Sequence, residues 1–308
     1  MEKTRQNHDI ARDDPDDSKM TETAVGINAP DTVNDETAVG INPPDTVNDE
    51  TRDAKPEIIA TKARVWQIDA SRGIAIILMT VFHALVDIRD FFGFADIRYF
   101  EPPYLYIGRS SAILFIFISG ISCRFSKNNV RRGLIVLLCG MAVTLATYVA
   151  VRDLYIRFGI LHFLGSAMII TGALERVFTG ERKNKTLRRI MYLAAPLSLL
   201  AGRFFAQIRT SLPFLFVFGI TASGFASYDF YPLFPWLGVY FAGYAAGYPI
   251  FKNRERLAAM KPGRAASLIF KPICALGRAS LVYYMLHQPA LLVVFFAVEM
   301  FRRVAFNL

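Results

Sequence analysis

Arg72 and His83 stand eleven residues apart in the stretch DASRGIAIILMTVFHALVD, residues 69 to 87. At about 100° per residue, eleven steps close to within roughly 20° of three helical turns, so the two side chains share one helix face. At about 1.5 Å per residue they lie roughly 16 Å apart along the axis. In a hydrocarbon core about 30 Å thick, that puts Arg72 at the boundary and His83 near the midplane. Asp87 follows His83 by four residues and is expected to accept a hydrogen bond from one ring nitrogen, leaving the other free. That is the arrangement of an oriented base. The bland alternatives are a boundary Arg72 whose charge reaches the headgroups and a plain N-cap role for Asp69.

A second stretch, GRASLVYYMLHQP, sets His287 nine residues beyond Arg278, a rise of about 14 Å, so His287 is expected at the depth of His83. Pro289 removes a backbone donor just beyond it and loosens the helix there. His162, in RFGILHFLG, starts near the outer edge of its own span and is expected to line an outward mouth. Ionisable side chains inside a bilayer are costly and usually face a functional interior. The structural alternative is a hydrogen bond to a neighbouring helix, worth about 1 kcal/mol. Chemically, a histidine at this depth can act as a general base.

Positioning these residues requires membrane helices. The 308-residue chain is 53% hydrophobic, with 26 Phe and a mean hydropathy of +0.32. Apolar runs predict an all-α, polytopic transmembrane bundle with spans at 73 to 92, 106 to 123, 133 to 151, 158 to 177, 188 to 205, 233 to 251 and 279 to 301. Residues 208 to 230, broken by Pro213, Gly219 and Gly224, read as a re-entrant or outward-facing segment rather than an eighth crossing. Basic clusters at 124 to 132, 176 to 189 and 252 to 271 fall on one side if seven helices cross from a cytoplasmic N-terminus. Arg302 and Arg303 then lie outside, against the rule. The N-terminal stretch lacks the layout of a cleavable signal, so the first helix is expected to act as an uncleaved one in a cell-membrane protein.

Residues 1 to 60 form a different segment from the membrane domain expected over 61 to 308. Residues 1 to 58 carry 15 acidic and 6 basic side chains and no Phe, Tyr or Trp, a composition that predicts disorder. Within them ETAVGINAPDTVND is followed at once by ETAVGINPPDTVND, read as a spacer grown by duplication. The rest of the chain is then strongly basic, but its cations flank apolar runs. The positive-inside rule accounts for them, and nucleic acid is not an expected partner. Cys123, Cys139 and Cys274 are isolated, without metal-type spacing, and no metal is expected.

Five ordered blocks, RVWQIDASRGIAIILMTVFHALVDI, LFIFISGISC, RFGILHFLGSAMII, YDFYPLFPWLGVYFAGYAAG and LGRASLVYYMLHQPALL, resemble the heparan-α-glucosaminide N-acetyltransferase catalytic-domain family in its short prokaryotic form. The resemblance covers residues 64 to about 300. The Arg72 to His83 spacing also resembles a motif of polysaccharide O-acylating membrane acyltransferases. What this implies is transfer of acetyl from cytoplasmic acetyl-CoA to a sugar or glycolipid amine or hydroxyl across the membrane. Residues 88 to 105 hold no histidine, where the lysosomal enzyme's proposed catalytic histidine lies, which points away from heparan itself. On this reading His83, Asp87 and His287 carry the chemistry. Arg72, Arg278, Arg131 and Arg132 meet the phosphates of CoA. Asp229, Tyr231 and Trp236, with His162, meet the acceptor. Two other readings stand beside it. One is a proton-coupled transporter or flippase relaying protons through His83, Asp87 and His287, though the membrane part shows no internal repeat. The other is a membrane scaffold.

Overall fold

The computed structural model describes residues 64–93, 96–98, 100–212 and 214–306, so the acidic tail and its repeat lie outside the described residues. Among the described residues nine helices follow in order: α1 (Trp66–Phe92), α2 (Tyr104–Cys123), α3 (Asn129–Ala150), α4 (Ile160–Val177), α5 (Glu181–Phe205), α6 (Leu233–Lys252), α7 (Arg254–Ala259), α8 (Arg264–Arg278) and α9 (Ser280–Phe306). No β-strand occurs among them. Four of these helices, α2, α3, α4 and the Ser280–Ala305 part of α9, are long and apolar enough to cross a membrane. The expected count of seven crossings also needs α1, α5 and α6, which run for 27, 25 and 20 residues. Helices α1 and α5 carry charged residues within their runs, and α6 packs against α2, α4 and α5 and buries Tyr240 and Tyr244. Outward faces carry the lipid-matched side chains instead, Leu138 and Leu145 on α3, Leu193 and Leu200 on α5, and Val293 and Phe301 on α9.

Two local expectations are corrected. Helix α1 begins at Trp66, not near residue 73, and its N-cap is Val65, whose side chain caps nothing. Asp69 is therefore an interior residue of the helix, buried and ion-paired. Residues 264–278, read as part of a basic connection, form the amphipathic helix α8. It lies against the first turns of α1, where the Trp66 indole N–H donates to the Met260 carbonyl at 2.6 Å and the Trp66 and Phe270 rings sit 5.2 Å apart.

Close crossings depend on glycine. At the α2/α6 crossing a Cβ on Gly120 would collide with the Tyr240 carbonyl, and one on Gly243 with the Phe117 carbonyl. Helices α1 and α9 run parallel. Thr80 meets Tyr283 at 3.0 Å, His83 faces His287, Asp87 faces Gln288, and the Phe91 and Phe295 rings stack. Between α5 and α6 the chain is irregular, as expected, with one 3-10 turn at Leu215–Phe218 and an isolated bridge from Phe230 to Phe158.

Candidate active site

The N-terminal turns of α1, the end of α2, the start of α3 and the end of α8 enclose a cavity of about 430 Å³. Arg64, Arg72, Arg132, Arg254 and Arg278 line it, against a single carboxylate among the described residues, Asp69. Arg64 Nε donates to Asp69 Oδ2 at 2.7 Å, and an Arg72 terminal nitrogen donates to Asp69 Oδ1 at 3.1 Å. Arg72 also donates to the Gly277 carbonyl and to Ser122 Oγ, each at 3.1 Å. Arg72 therefore ties α1 to α2 and α8, with part of its five-donor fork left toward the cavity. Arg132 and Arg278 have no such commitments among the described residues. Arg131 is exposed and lines none of the three cavities described here, because adjacent residues of a helix point about 100° apart.

A second cavity of about 330 Å³ shares Arg72, Ser122, Arg132 and Arg278 with the first and extends to Phe115 and Tyr284. A third, of about 400 Å³, shares Phe115 and Tyr284 with the second and is lined by His83, Arg109, Asp229, Tyr231 and Trp236. The series runs from the arginine end of the bundle to the opposite end.

His83 and His287 meet as expected, with ring centroids 5.2 Å apart. His287 Nδ1 lies 2.7 Å from the Tyr284 carbonyl, which can only accept, so this nitrogen carries the proton in the neutral ring. Its Nε2 is buried without a hydrogen-bond partner among the described residues. Asp87 does not orient His83. Both of its oxygens accept from the Gln288 amide, at 3.0 and 3.1 Å, because α9 brings that donor to the carboxylate. The His83 ring has no hydrogen bond among the described residues and opens on the third cavity.

His162 does not line an outward mouth. It is buried, its Nδ1 accepts from the Gly159 N–H, and its Nε2 lies 3.2 Å from Thr144 Oγ1, whose own proton goes to the Ile156 carbonyl. Both ring nitrogens are spent holding the start of α4. Asp229, Tyr231 and Trp236 do come together, with the Tyr231 and Trp236 rings 4.9 Å apart. Asp229 Oδ2 accepts the Ile160 N–H at 3.0 Å. Burial pushes this carboxyl up to about 6 and also raises the Tyr231 phenol, with Asp229 adding to the latter. Sequence reasoning missed Arg109, Phe115 and Tyr284. For Arg109 the signal was present as a lone cation in the apolar run YLYIGRSSAILF.

A helical bundle with a lipid-matched exterior, an arginine-lined cavity at one end and a histidine and a carboxylate lining another cavity has the build of an integral membrane protein. Residues 64–289 match the family described as heparan-alpha-glucosaminide N-acetyltransferase, catalytic, and the chain belongs to that family. It is thereby a membrane acetyltransferase. No curated protein and no solved structure matches the chain.

Proposed function

We propose that the protein takes acetyl-CoA at its arginine end, facing the cytoplasm of a multi-pass cell-membrane protein, and transfers the acetyl group to an amine or hydroxyl of a sugar or glycolipid in the far cavity. The observation that carries this reading is the run of three cavities with shared walls, cationic at one end and holding His83 at the other. Five arginines against one carboxylate suit the phosphates of CoA, since guanidinium groups bind phosphate through paired donors. The thioester then reaches past Phe115 and Tyr284, and His83 meets the reacting carbonyl as base or as acetyl carrier. His287 packs against His83. Tyr231 and Trp236 offer ring faces to a sugar.

The test uses purified protein in nanodiscs with labelled acetyl-CoA. Arg132→Gln and Arg278→Gln are each expected to weaken CoA binding about tenfold, ~1.4 kcal/mol for one lost charged contact. Arg131→Gln leaves it unchanged. His83→Ala binds CoA normally and transfers no acetyl. If His83→Ala turns over like the parent protein and neither rim variant alters binding, the reading is wrong.

A further inference from the structure

We propose that Asp229 is the base that takes the acceptor's proton, which leaves His83 to position the acetyl group or to carry it. This deepens the acetyl-transfer reading above and rests on it.

The carboxylate is held by a built local structure. The Tyr228 N–H donates to the Leu154 carbonyl at 3.0 Å and the Tyr231 N–H to the Phe158 carbonyl at 2.9 Å. Ser227 Oγ accepts from the Arg157 N–H at 3.2 Å and donates to the Asp229 carbonyl at 2.8 Å. These bonds press residues 227–231 against the entry to α4, where Oδ2 accepts the Ile160 N–H. Gly159 makes this approach possible, because a Cβ there would collide with Oδ2. Oδ1 has no partner among the described residues, while the residue lines the cavity that holds His83.

Among the described residues no cation neutralises the charge. Arg157 stacks over the Tyr155 and Phe225 rings at 5.1 Å each, and no ion pair links Asp229 to Arg109. Asp229 acts electrostatically on Tyr231 of its own segment and on Tyr284 of α9, and the other titratable groups lining the same cavity are His83 on α1, Arg109 on α2 and Tyr228, while His162 on α4 is committed elsewhere. A half-sheltered carboxylate with one fixed oxygen and one open one seeks an N–H or O–H donor. Its raised pKa brings it closer to working pH, which favours a base.

In the direct route the acceptor nitrogen or oxygen attacks the thioester carbonyl carbon. The new N–C or O–C bond forms, the C–S bond breaks, and sulfur leaves with the electron pair. The acceptor's proton passes to Asp229 Oδ1 and from there to the thiolate, so CoA departs as the thiol. In the two-step route a His83 ring nitrogen attacks the thioester carbonyl carbon, the N–C bond forms as the C–S bond breaks, and the proton of the other ring nitrogen passes to the thiolate, so CoA leaves as the thiol. The acceptor then attacks the acetyl carbon, its proton passes to Asp229 Oδ1, the ring N–C bond breaks, and Asp229 returns the proton to the His83 ring.

Labelled acetyl-CoA and glucosamine, with the protein in nanodiscs, test this. Asp229→Asn keeps an oxygen for the Ile160 N–H but offers the cavity a donor in place of a lone pair. It is expected to fold, to melt no lower than the parent protein and to bind CoA normally, yet lose at least about 100-fold in turnover. The fall in kcat/KM below about pH 6 disappears from its residual activity. Formate restores part of the turnover of Asp229→Ala. Turnover of Asp229→Asn within about threefold of the parent overturns the proposal, as does a loss with the acid limb intact and no formate rescue. If the parent protein itself acetylates neither amine nor hydroxyl acceptors, the acetyl-transfer reading falls first and this inference with it.

Discussion

Asp69 is the one carboxylate among the described residues at a rim of arginines, and replacing it with asparagine has a cost that the structure bounds. Its side chain is 6% exposed and sits between Arg72, 19% exposed, and Arg64, 65% exposed. An asparagine in its place can present its oxygen to only one of these cations and turns its amide N–H groups toward the other. Removing one partner of a buried pair leaves the other charge uncompensated, which costs about 3–5 kcal/mol. The upper part of that range is not expected, because Arg72 retains the Gly277 carbonyl and Ser122 hydroxyl. We expect about 3 kcal/mol for Asp69→Asn by equilibrium unfolding in mixed micelles. Arg72→Gln should cost less, since Asp69 keeps Arg64. The double variant should cost less than the sum of the two, by at least about 1 kcal/mol, because the second change removes a partner already stranded. A loss under about 1 kcal/mol for Asp69→Asn, or strict additivity in the double variant, would refute this account of the rim.

Two further outcomes follow from the same geometry. Gly120→Ala and Gly243→Ala each drive a methyl into a facing carbonyl at the α2/α6 crossing and should lower stability by about 1–3 kcal/mol, read as thermal aggregation in detergent. Gly263→Ala, with no atom within 4 Å of the new methyl, serves as the unaffected control. Asp229, raised from 3.8 to about 6, binds more proton in the folded state than in the unfolded state between those values. Stability should therefore fall as pH rises through that window, and Asp229→Asn should flatten the slope, as measured by melting temperature from about pH 4 to 7.

Most of the helical frame was legible because hydropathy and length report directly on lipid contact. Helices α2 to α6 and α9 start and stop within a few residues of the spans expected, apart from the early start of α5 at Glu181. Helix α8 escaped because its Arg264, Lys271 and Arg278 and its Pro272 mimic a charged connection, whereas burial of one face against α1 decides its state. Pairing of His83 with His287 followed from depth alone, since parallel helices entered from one side bring equal depths together. Partner choice did not follow. Asp87 sits one turn from His83, yet an amide 201 residues away takes it, and no local spacing encodes that. His162 failed as a site residue for the opposite reason, since its partners Gly159 and Thr144 are close in sequence and consume both nitrogens. Arg131 and Arg132 look equivalent as a pair, but only the helix phase of α3 decides which one faces the cavity.

The bond between Asp87 and Gln288 sets an order in time. A carboxylate in the first helix waits for an amide made 201 residues later. At about 5–20 residues per second of synthesis, that interval is roughly 10–40 s, during which α1 holds an acidic group with its eventual partner still unmade. A nascent chain thus carries in α1 a carboxylate whose amide donor arrives only with α9, so the α1/α9 pairing is completed late in synthesis.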